Sequence, residues 1–129
     1  MAQKSVLLVD DDADLVQALE LVFKSAGYTV HTAGNRTEGW EKAREVHPDL
    51  VVVDVMMETE MDGFQLTYDL RRDKDLKAMP IIMLTAINQK MPFHFSPDTD
   101  EDYIPVDKFI EKPVDPATLL KEAAALIKK

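Results

Sequence analysis

Five short apolar runs, separated by longer and more polar stretches, constrain the fold of this chain most strongly. Two of them, Ser5–Val9 and Leu50–Val53, are apolar at nearly every position. Strands with apolar side chains on both sides are typical of a parallel sheet that is covered on both faces. The remaining runs are Tyr28–Thr32, Pro80–Leu84 and Val106–Ile110. The sequence therefore predicts a five-stranded sheet.

The stretches between the runs carry the signals of helix ends. The first has apolar residues at helical spacing and stops at Gly27, a common C-terminal signal. Asn35 with Glu38 three residues later is a variant of the capping box, and Asp115 followed by Pro116 predicts the start of the last helix. Strands that alternate with helices predict an α/β fold, with a single doubly wound parallel sheet and helices on both faces.

One segment departs from this alternation. The region 87–105 contains Pro92, Pro97 and Pro105 among polar residues, and it shows no clean helical period. We therefore expect the helix between the fourth and fifth strands to be short or irregular.

Length and composition bound the remaining possibilities. At 129 residues, the chain is predicted to form one domain over residues 1–129. The formal charge of -9 disfavours direct contact with nucleic-acid phosphates. The absence of cysteine excludes disulfides, zinc–thiolate sites and cysteine nucleophiles. No segment of the sequence could span a membrane, so a cytoplasmic location is the default expectation.

Reactive side chains follow four of the predicted strands. Asp10 and Asp11 follow the first strand, Asp54 the third, Thr85 the fourth and Lys112 the fifth. Because the carboxyl ends of parallel strands meet at one edge of a sheet, ligands bind there. We therefore predict that carboxylates, a hydroxyl and an ammonium group share one pocket.

These groups fit one kind of chemistry. Crowded carboxylates repel one another unless a cation balances them, and oxygen ligands without histidine or cysteine favour Mg²⁺. A carboxylate can attack phosphorus, while a lysine, a hydroxyl and backbone amides stabilise the transferring group. Asp54 is the strongest single candidate, because it places an ionisable group at the end of an apolar strand and perturbed carboxylates gather at functional sites.

Five short motifs resemble those of response-regulator receiver domains, in the same order along the chain. They are Leu7–Asp12, Val51–Met57, Asp62–Gly63, Met83–Ala86 and Glu111–Pro113. Each motif is weak alone, but five in order at predicted strand ends are specific. The resemblance covers essentially the whole chain and implies a flavodoxin-like sheet with strand order 2-1-3-4-5.

The resemblance assigns an acceptor and a metal site. It implies that Asp54 is the phospho-acceptor and that Asp10 and Asp11 form the acidic pair. Asp11 would bind the metal directly, while Asp10 would act largely through water. Met56, two residues after the acceptor, would offer its backbone carbonyl. The implied ion is Mg²⁺ or Mn²⁺.

The resemblance also assigns phosphoryl-binding and switch residues. Thr85 would reorient onto the phosphoryl group, the backbone of Ala86 would donate to it, and Lys112 would pair with it. Phe109 falls at the position of the family's aromatic rotamer switch. Taken singly, Thr85 and Lys112 also fit an ordinary strand-end hydroxyl and a solvated loop residue, and Phe109 a core residue. Asp12 is expected to cap the first helix rather than to bind metal.

Two departures from the family pattern bear on these assignments. Glu58 stands where proline is common, and Gly63 follows Asp54 by one residue more than usual. We expect this loop, which also gains Glu60, to shift the metal affinity. The spacing from Thr85 to Lys112 is several residues longer than is typical, and the extra length falls in the region 87–105. The family has its fourth helix there, so its output and dimerisation surface is expected to be remodelled.

The resemblance implies a phospho-accepting switch of a two-component phosphorelay. The implied phosphodonor is a histidine kinase or a histidine phosphotransfer protein, and the implied target is another protein. A phosphorylation-dependent dimer is among the states that the family adopts. Enzymatic activity would be limited to self-phosphorylation and slow self-dephosphorylation on Asp54.

Three other functions remain open at this point. A receiver-like protein-binding module would keep the fold without being phosphorylated. A phosphoaspartyl hydrolase would use the spacing of Asp10 and Asp12, although the chain has little room for a substrate-specificity cap. A flavodoxin-type electron carrier would need a Ser/Thr-rich phosphate loop after the first strand, and the sequence has none there.

Overall fold

The computed structural model describes residues 4–54, 62–85 and 106–127, with the backbone alone at 62–64 and 85. The elements in chain order are β1 Ser5–Val9, α1 Ala13–Ser25, β2 Thr29–Ala33, α2 Arg36–Val46, β3 Leu50–Asp54, α3 Asp62–Arg72, β4 Ile81–Thr85, β5 Lys108–Glu111 and α4 Pro116–Ile127. The strands are parallel, and their order across the sheet is β2-β1-β3-β4-β5. The predicted doubly wound fold is confirmed.

Helices cover both faces of the sheet. Helices α1 and α4 pack on one face, and α2 and α3 pack on the other. In β1, Val6 and Leu8 face the α1/α4 layer, while Leu7 and Val9 face the α2/α3 layer. All four side chains are at most 1 % exposed. Val6 to Val9 are therefore all apolar, because neither face of this part of the strand meets water.

Local signals mark the starts of α2 and α4 and the end of α1, as the sequence predicted. Asn35 Oδ1 accepts a hydrogen bond from the Glu38 amide at 2.9 Å. The Glu38 carboxylate reaches back to accept from the Gly34 amide, so the capping box closes one residue earlier than in its usual form. Gly27 follows α1 with a φ of 95°, which glycine adopts without strain. Asp115 caps α4 through its side chain.

Three strands begin later than the sequence predicted. Before β2, the Tyr28 ring packs edge-on against Phe23, with 5.5 Å between the ring centroids. Before β4, Pro80 has no N–H to contribute to the ladder. Before β5, the Asp107 carboxylate accepts from the Ile81 amide at 2.8 Å.

Some predictions concern residues outside the described ranges. The short helix expected within 87–105 and the loop that holds Glu58 and Glu60 belong to this group. These two predictions and the single domain over 1–129 stay predictions. No helix in the described part of the chain has the length and apolar character needed to cross a membrane.

Helix α2 approaches the sheet closely at Gly39, and we expect Gly39→Ala to destabilise the protein. An added Cβ would lie 2.9 Å from Leu66 Cδ2 and 3.1 Å from Val9 Cγ1. Overpacking of this kind costs about 1–3 kcal/mol, whereas alanine's better helix propensity offsets at most about 1 kcal/mol. The clash dominates because both neighbours are fully buried and Val9 is β-branched. Urea unfolding measures the difference.

The matched control is Gly34→Ala, also in the α2 region. Its Cβ would meet only Glu38 Oε1, at 3.6 Å, which is an ordinary contact. We expect little change in the unfolding free energy of this variant. A Gly39→Ala protein as stable as the wild type would contradict the prediction.

Candidate functional site

The sheet register brings the predicted site residues to one edge. The final pair between β1 and β3 immediately precedes Asp10 and Asp54, which are therefore neighbours. The final pair between β4 and β5 joins Thr85 to the residue before Lys112. The chain thus delivers these four residues to the carboxyl edge of the sheet, as predicted.

Three carboxylates gather at this edge. Asp10, Asp11 and Asp54 each offer an oxygen within 4.8 Å of the other two. Asp10 and Asp54 are each only 6 % exposed, while Asp11 is exposed to solvent. Like charges held this close, with little water around two of them, favour a cation between them. A cluster of oxygen ligands alone suits a hard divalent ion.

The two oxygens of Asp10 have different surroundings. Oδ1 accepts a hydrogen bond from the Asp12 amide at 2.9 Å. Oδ2 is buried and has no hydrogen-bond partner among the residues that the structure describes. Leaving a buried acceptor without a donor costs about 1–3 kcal/mol, more for a charged group. The observation fits a ligand atom whose partner is a metal ion or the water around it.

Lys112 lies between the two buried carboxylates. Its Nζ is 3.0 Å from Asp54 Oδ1 and 3.7 Å from Asp10 Oδ2. The peptide bond between Lys112 and Pro113 is cis. A single ammonium group thus forms a direct ion pair with one acid and stays just beyond hydrogen-bond reach of the other.

The shared environment shifts the pKa values of two of these groups. Burial raises the pKa of Asp10 to about 6, helped by the nearby Asp54 charge and opposed by the Asp12 amide and by Lys112. Burial alone would lower the pKa of Lys112. Its hydrogen bond to Asp54 and the carboxylate charges outweigh that effect, so its pKa lies above the ordinary value.

A pocket of about 350 Å³ opens beside two of the acids. It lies between α1 and the turn after β2, and Asp10, Asp11, Gln17 and Thr32 are among its lining residues. The pocket leaves one side of the acidic cluster open to small solutes and water.

The remaining predicted residues divide into three groups. Met56 and Ala86 lie outside the described residues, and Thr85 is described by its backbone only. Phe109 is partly buried against the α2/α3 layer, so its role as a switch stays a prediction. Asp12 caps α1 as expected, accepting from two amides of the first turn.

One contact was absent from the sequence-based prediction. The hydrogen bond from the Asp12 amide to Asp10 links the first acid to the start of α1. An aspartate side chain that accepts from the amide two residues later is a common turn pattern. The run Asp10–Asp12 therefore held a signal for this contact.

Comparison with known proteins identifies the family. The family model for the response regulator receiver domain matches residues 6–124. The chain belongs to this family. The resemblance of the five sequence motifs to receiver domains of two-component response regulators is therefore confirmed.

The curated relatives that this chain matches are longer proteins. The DNA-binding dual master transcriptional regulator RpaA of Synechocystis sp. is 30% identical over 124 residues, which cover 96% of this chain and 49% of RpaA. The alkaline phosphatase synthesis transcriptional regulatory protein PhoP of Bacillus subtilis is 30% identical over 126 residues, covering 98% and 49%. This chain therefore spans about half the length of these relatives.

Solved structures of similar receiver domains match nearly end to end. The chemotaxis protein CheY4 of Vibrio cholerae is 30% identical, with a TM-score of 0.81 over 97% of this chain and 99% of CheY4. A putative response regulator from Chloroflexus aurantiacus is 26% identical, with a TM-score of 0.82 over 99% and 100%. Both likenesses support the receiver fold.

Proposed function

We propose that this receiver domain accepts a phosphoryl group on Asp54 from a phosphohistidine donor. The observation that carries the proposal is the 3.0 Å contact between Asp54 Oδ1 and Lys112 Nζ beside a second buried acid. A nucleophile with a fixed cation at its side is suited to receive an anionic group. The proposal assigns the phospho-acceptor role to one specific residue of this chain, Asp54.

In the proposed reaction, a carboxylate oxygen of Asp54 forms a bond to phosphorus as the bond from phosphorus to the donor imidazole breaks. The electron pair of that bond stays on the imidazole nitrogen, which takes a proton from solvent. Asp54 is 6 % exposed, so little water must leave its carboxylate before the attack. Lys112 Nζ then exchanges part of its contact with Asp54 for one with a phosphoryl oxygen.

The acidic cluster fits a bound Mg²⁺ or Mn²⁺. Asp10, Asp11 and Asp54 would hold the ion, since their oxygens lie within 4.8 Å of one another and no described residue donates to Asp10 Oδ2. When bound, such an ion neutralises negative charge on the phosphoryl oxygens. We propose the Met56 backbone carbonyl as a further ligand.

The remaining assignments complete the proposed switch. We propose that the Thr85 hydroxyl and the Ala86 amide donate to the phosphoryl oxygens. Phe109, partly buried at the edge of the α2/α3 layer, would then change its packing when Thr85 moves. Phosphorylation would in this way alter the surface that a partner protein meets.

The proposed phosphodonor is a histidine kinase or a histidine phosphotransfer protein, and the proposed target is a protein. Names that include DNA binding belong to relatives of which this chain matches about half. We propose no direct nucleic-acid contact for this chain, whose formal charge is -9. A cytoplasmic location and a phosphorylation-dependent dimer are also part of the proposal.

Intact-mass measurement after incubation with acetyl phosphate and Mg²⁺ tests the proposal. We expect one phosphoryl adduct on the wild type and none on Asp54→Asn, because an amide cannot act as the nucleophile. Asp75→Asn, a matched change at an exposed turn, should keep the adduct. An unmodified wild type would favour a protein-binding module, and steady turnover of phosphate esters would favour a hydrolase.

A further inference from the structure

We propose that Asp12 is a positioning residue for the metal site, acting through Asp10 rather than as a ligand. The Asp12 side chain caps α1, and this cap holds the backbone amide that orients the Asp10 carboxylate. The inference rests on the proposed Mg²⁺ site and adds a residue to it.

The first step is the contact between the two residues. The Asp12 amide donates to Asp10 Oδ1 at 2.9 Å. Because Oδ1 is held by the amide, the carboxylate has one preferred rotation. That rotation leaves the buried Oδ2 on the side that faces Lys112 Nζ, at 3.7 Å.

The second step is what fixes the amide. Asp12 Oδ1 accepts from the amides of Asp14 at 3.1 Å and Leu15 at 3.2 Å. The Asp12 carbonyl accepts from the Val16 amide at 3.0 Å, which is the first hydrogen bond of α1. With φ of -87° and ψ of 98°, Asp12 has the extended backbone of a helix N-cap. The peptide that carries the amide is therefore held by the helix end.

The third step is what happens when the cap is lost. Without the cap, the first turn of α1 frays and the Asp12 amide no longer holds Asp10 Oδ1. The Asp10 carboxylate can then rotate and close the 3.7 Å gap to Lys112. A direct ion pair with Lys112 competes with the metal for the same oxygen. The Asp12 carboxylate is engaged in the cap and is not one of the three carboxylates of the cluster, so its contribution comes from positioning Asp10.

Titration calorimetry with Mg²⁺, repeated with Mn²⁺, on the whole chain tests the inference with three variants. All three, Asp12→Ala, Asp12→Ser and Asp12→Asn, remove the same charge, but serine and asparagine keep the cap. We expect Asp12→Ala to bind the ion about tenfold more weakly, the lower end of the effect of losing a residue that orients a ligand. The serine and asparagine variants should stay close to the wild type.

The control is Asn35→Ala, which removes the cap of α2, where Asn35 accepts from the Glu38 amide. We expect it to lose stability in urea but to keep its metal affinity. Equal weakening of all three Asp12 variants would assign the effect to charge and overturn the inference. It would also be overturned by unchanged affinity in Asp12→Ala or by an equal loss in Asn35→Ala. A wild type that binds neither ion would instead refute the metal site itself, and this role with it.

Discussion

Replacing Lys112 with methionine is expected to slow phosphoryl uptake from acetyl phosphate by about a hundredfold or more, the usual effect of removing one group that stabilises transition-state charge. Methionine keeps much of the length and apolar stem of lysine but lacks the ammonium group that lies 3.0 Å from Asp54. Without this ammonium group, the negative charge on the phosphoryl oxygens would be repelled by two buried carboxylates and would have one cation fewer to stabilise it. The rate of adduct formation, followed by intact mass at saturating Mg²⁺, measures the effect.

Lys108→Met provides the matched control. Lys108 lies in β5, four residues before Lys112, and its Nζ is 3.8 Å from Glu122 Oε2 on the protein surface. A surface ion pair of this kind contributes little, so we expect neither the uptake rate nor the fold to change noticeably. Uptake by Lys112→Met at the rate of the wild type would remove Lys112 from the proposed mechanism.

Asp10→Asn is expected to stabilise the metal-free protein at about pH 8 by roughly 2–3 kcal/mol, since the raised pKa of Asp10 makes its charged form costly in the folded protein and each tenfold change in proton affinity corresponds to about 1.36 kcal/mol. Burial raises the pKa of Asp10 from 3.8 to about 6, so the folded protein binds this proton more tightly than the unfolded chain. Stability that depends on Asp10 is therefore complete below the unfolded pKa and falls as the pH rises from about 4 through about 6. Asparagine has no charge to bury and escapes this loss.

Urea unfolding across the pH range, with and without Mg²⁺, measures this prediction. The gap between Asp10→Asn and the wild type should open between about pH 4 and pH 7 and vanish in acid. Mg²⁺ should stabilise the wild type in neutral solution but have little effect on Asp10→Asn, because binding to the folded state alone raises stability. A variant that is less stable than the wild type at about pH 8 would contradict the assignment of the pKa shift.

Asp49→Asn is a suitable comparison for the same chemical change elsewhere in the sheet. The Asp49 carboxylate lies just before β3 and accepts from the Ser5 amide at 2.9 Å. Since this carboxylate is satisfied by a hydrogen bond, its replacement is not expected to increase stability. A gain of stability confined to Asp10→Asn would show that the acidic cluster holds unfavourable charge. A loss of stability from unbalanced carboxylates is expected at a cation site that holds no ion.

The fold was predictable because its signals are local. An unbroken apolar run such as Leu50–Val53 can be buried only within a sheet that is covered on both faces, and this is where β3 lies. Asn35 and Asp115 cap their helices through amides only three residues away, so each pair is visible in the sequence. Strand starts were less accurate, because the Tyr28 amide donates to the Phe23 carbonyl at the end of α1 instead of joining β2.

The position of Lys112 shows what the sequence leaves undetermined. Asp107 accepts from the Ile81 amide at 2.8 Å and pairs with Arg71 at 3.0 Å, and these contacts anchor the start of β5 beside β4. The register of β5 then carries Lys112 to the acids. A slip of one residue would turn its side chain to the other face of the sheet. The strand-end position of Lys112 predicted that it reaches this edge, but not how far its Nζ lies from each acid.

The sequence by itself determined the parallel sheet, the caps of its helices and the set of reactive groups that its strands deliver to one edge. Only the tertiary structure decided that Lys112 pairs with Asp54 at 3.0 Å but stays 3.7 Å from Asp10, and that the Asp12 amide holds one oxygen of Asp10. The reason is physical. Residue types and their order follow from local propensity and burial, whereas differences of less than an ångström between side chains depend on register, rotamers and packing across separate strands.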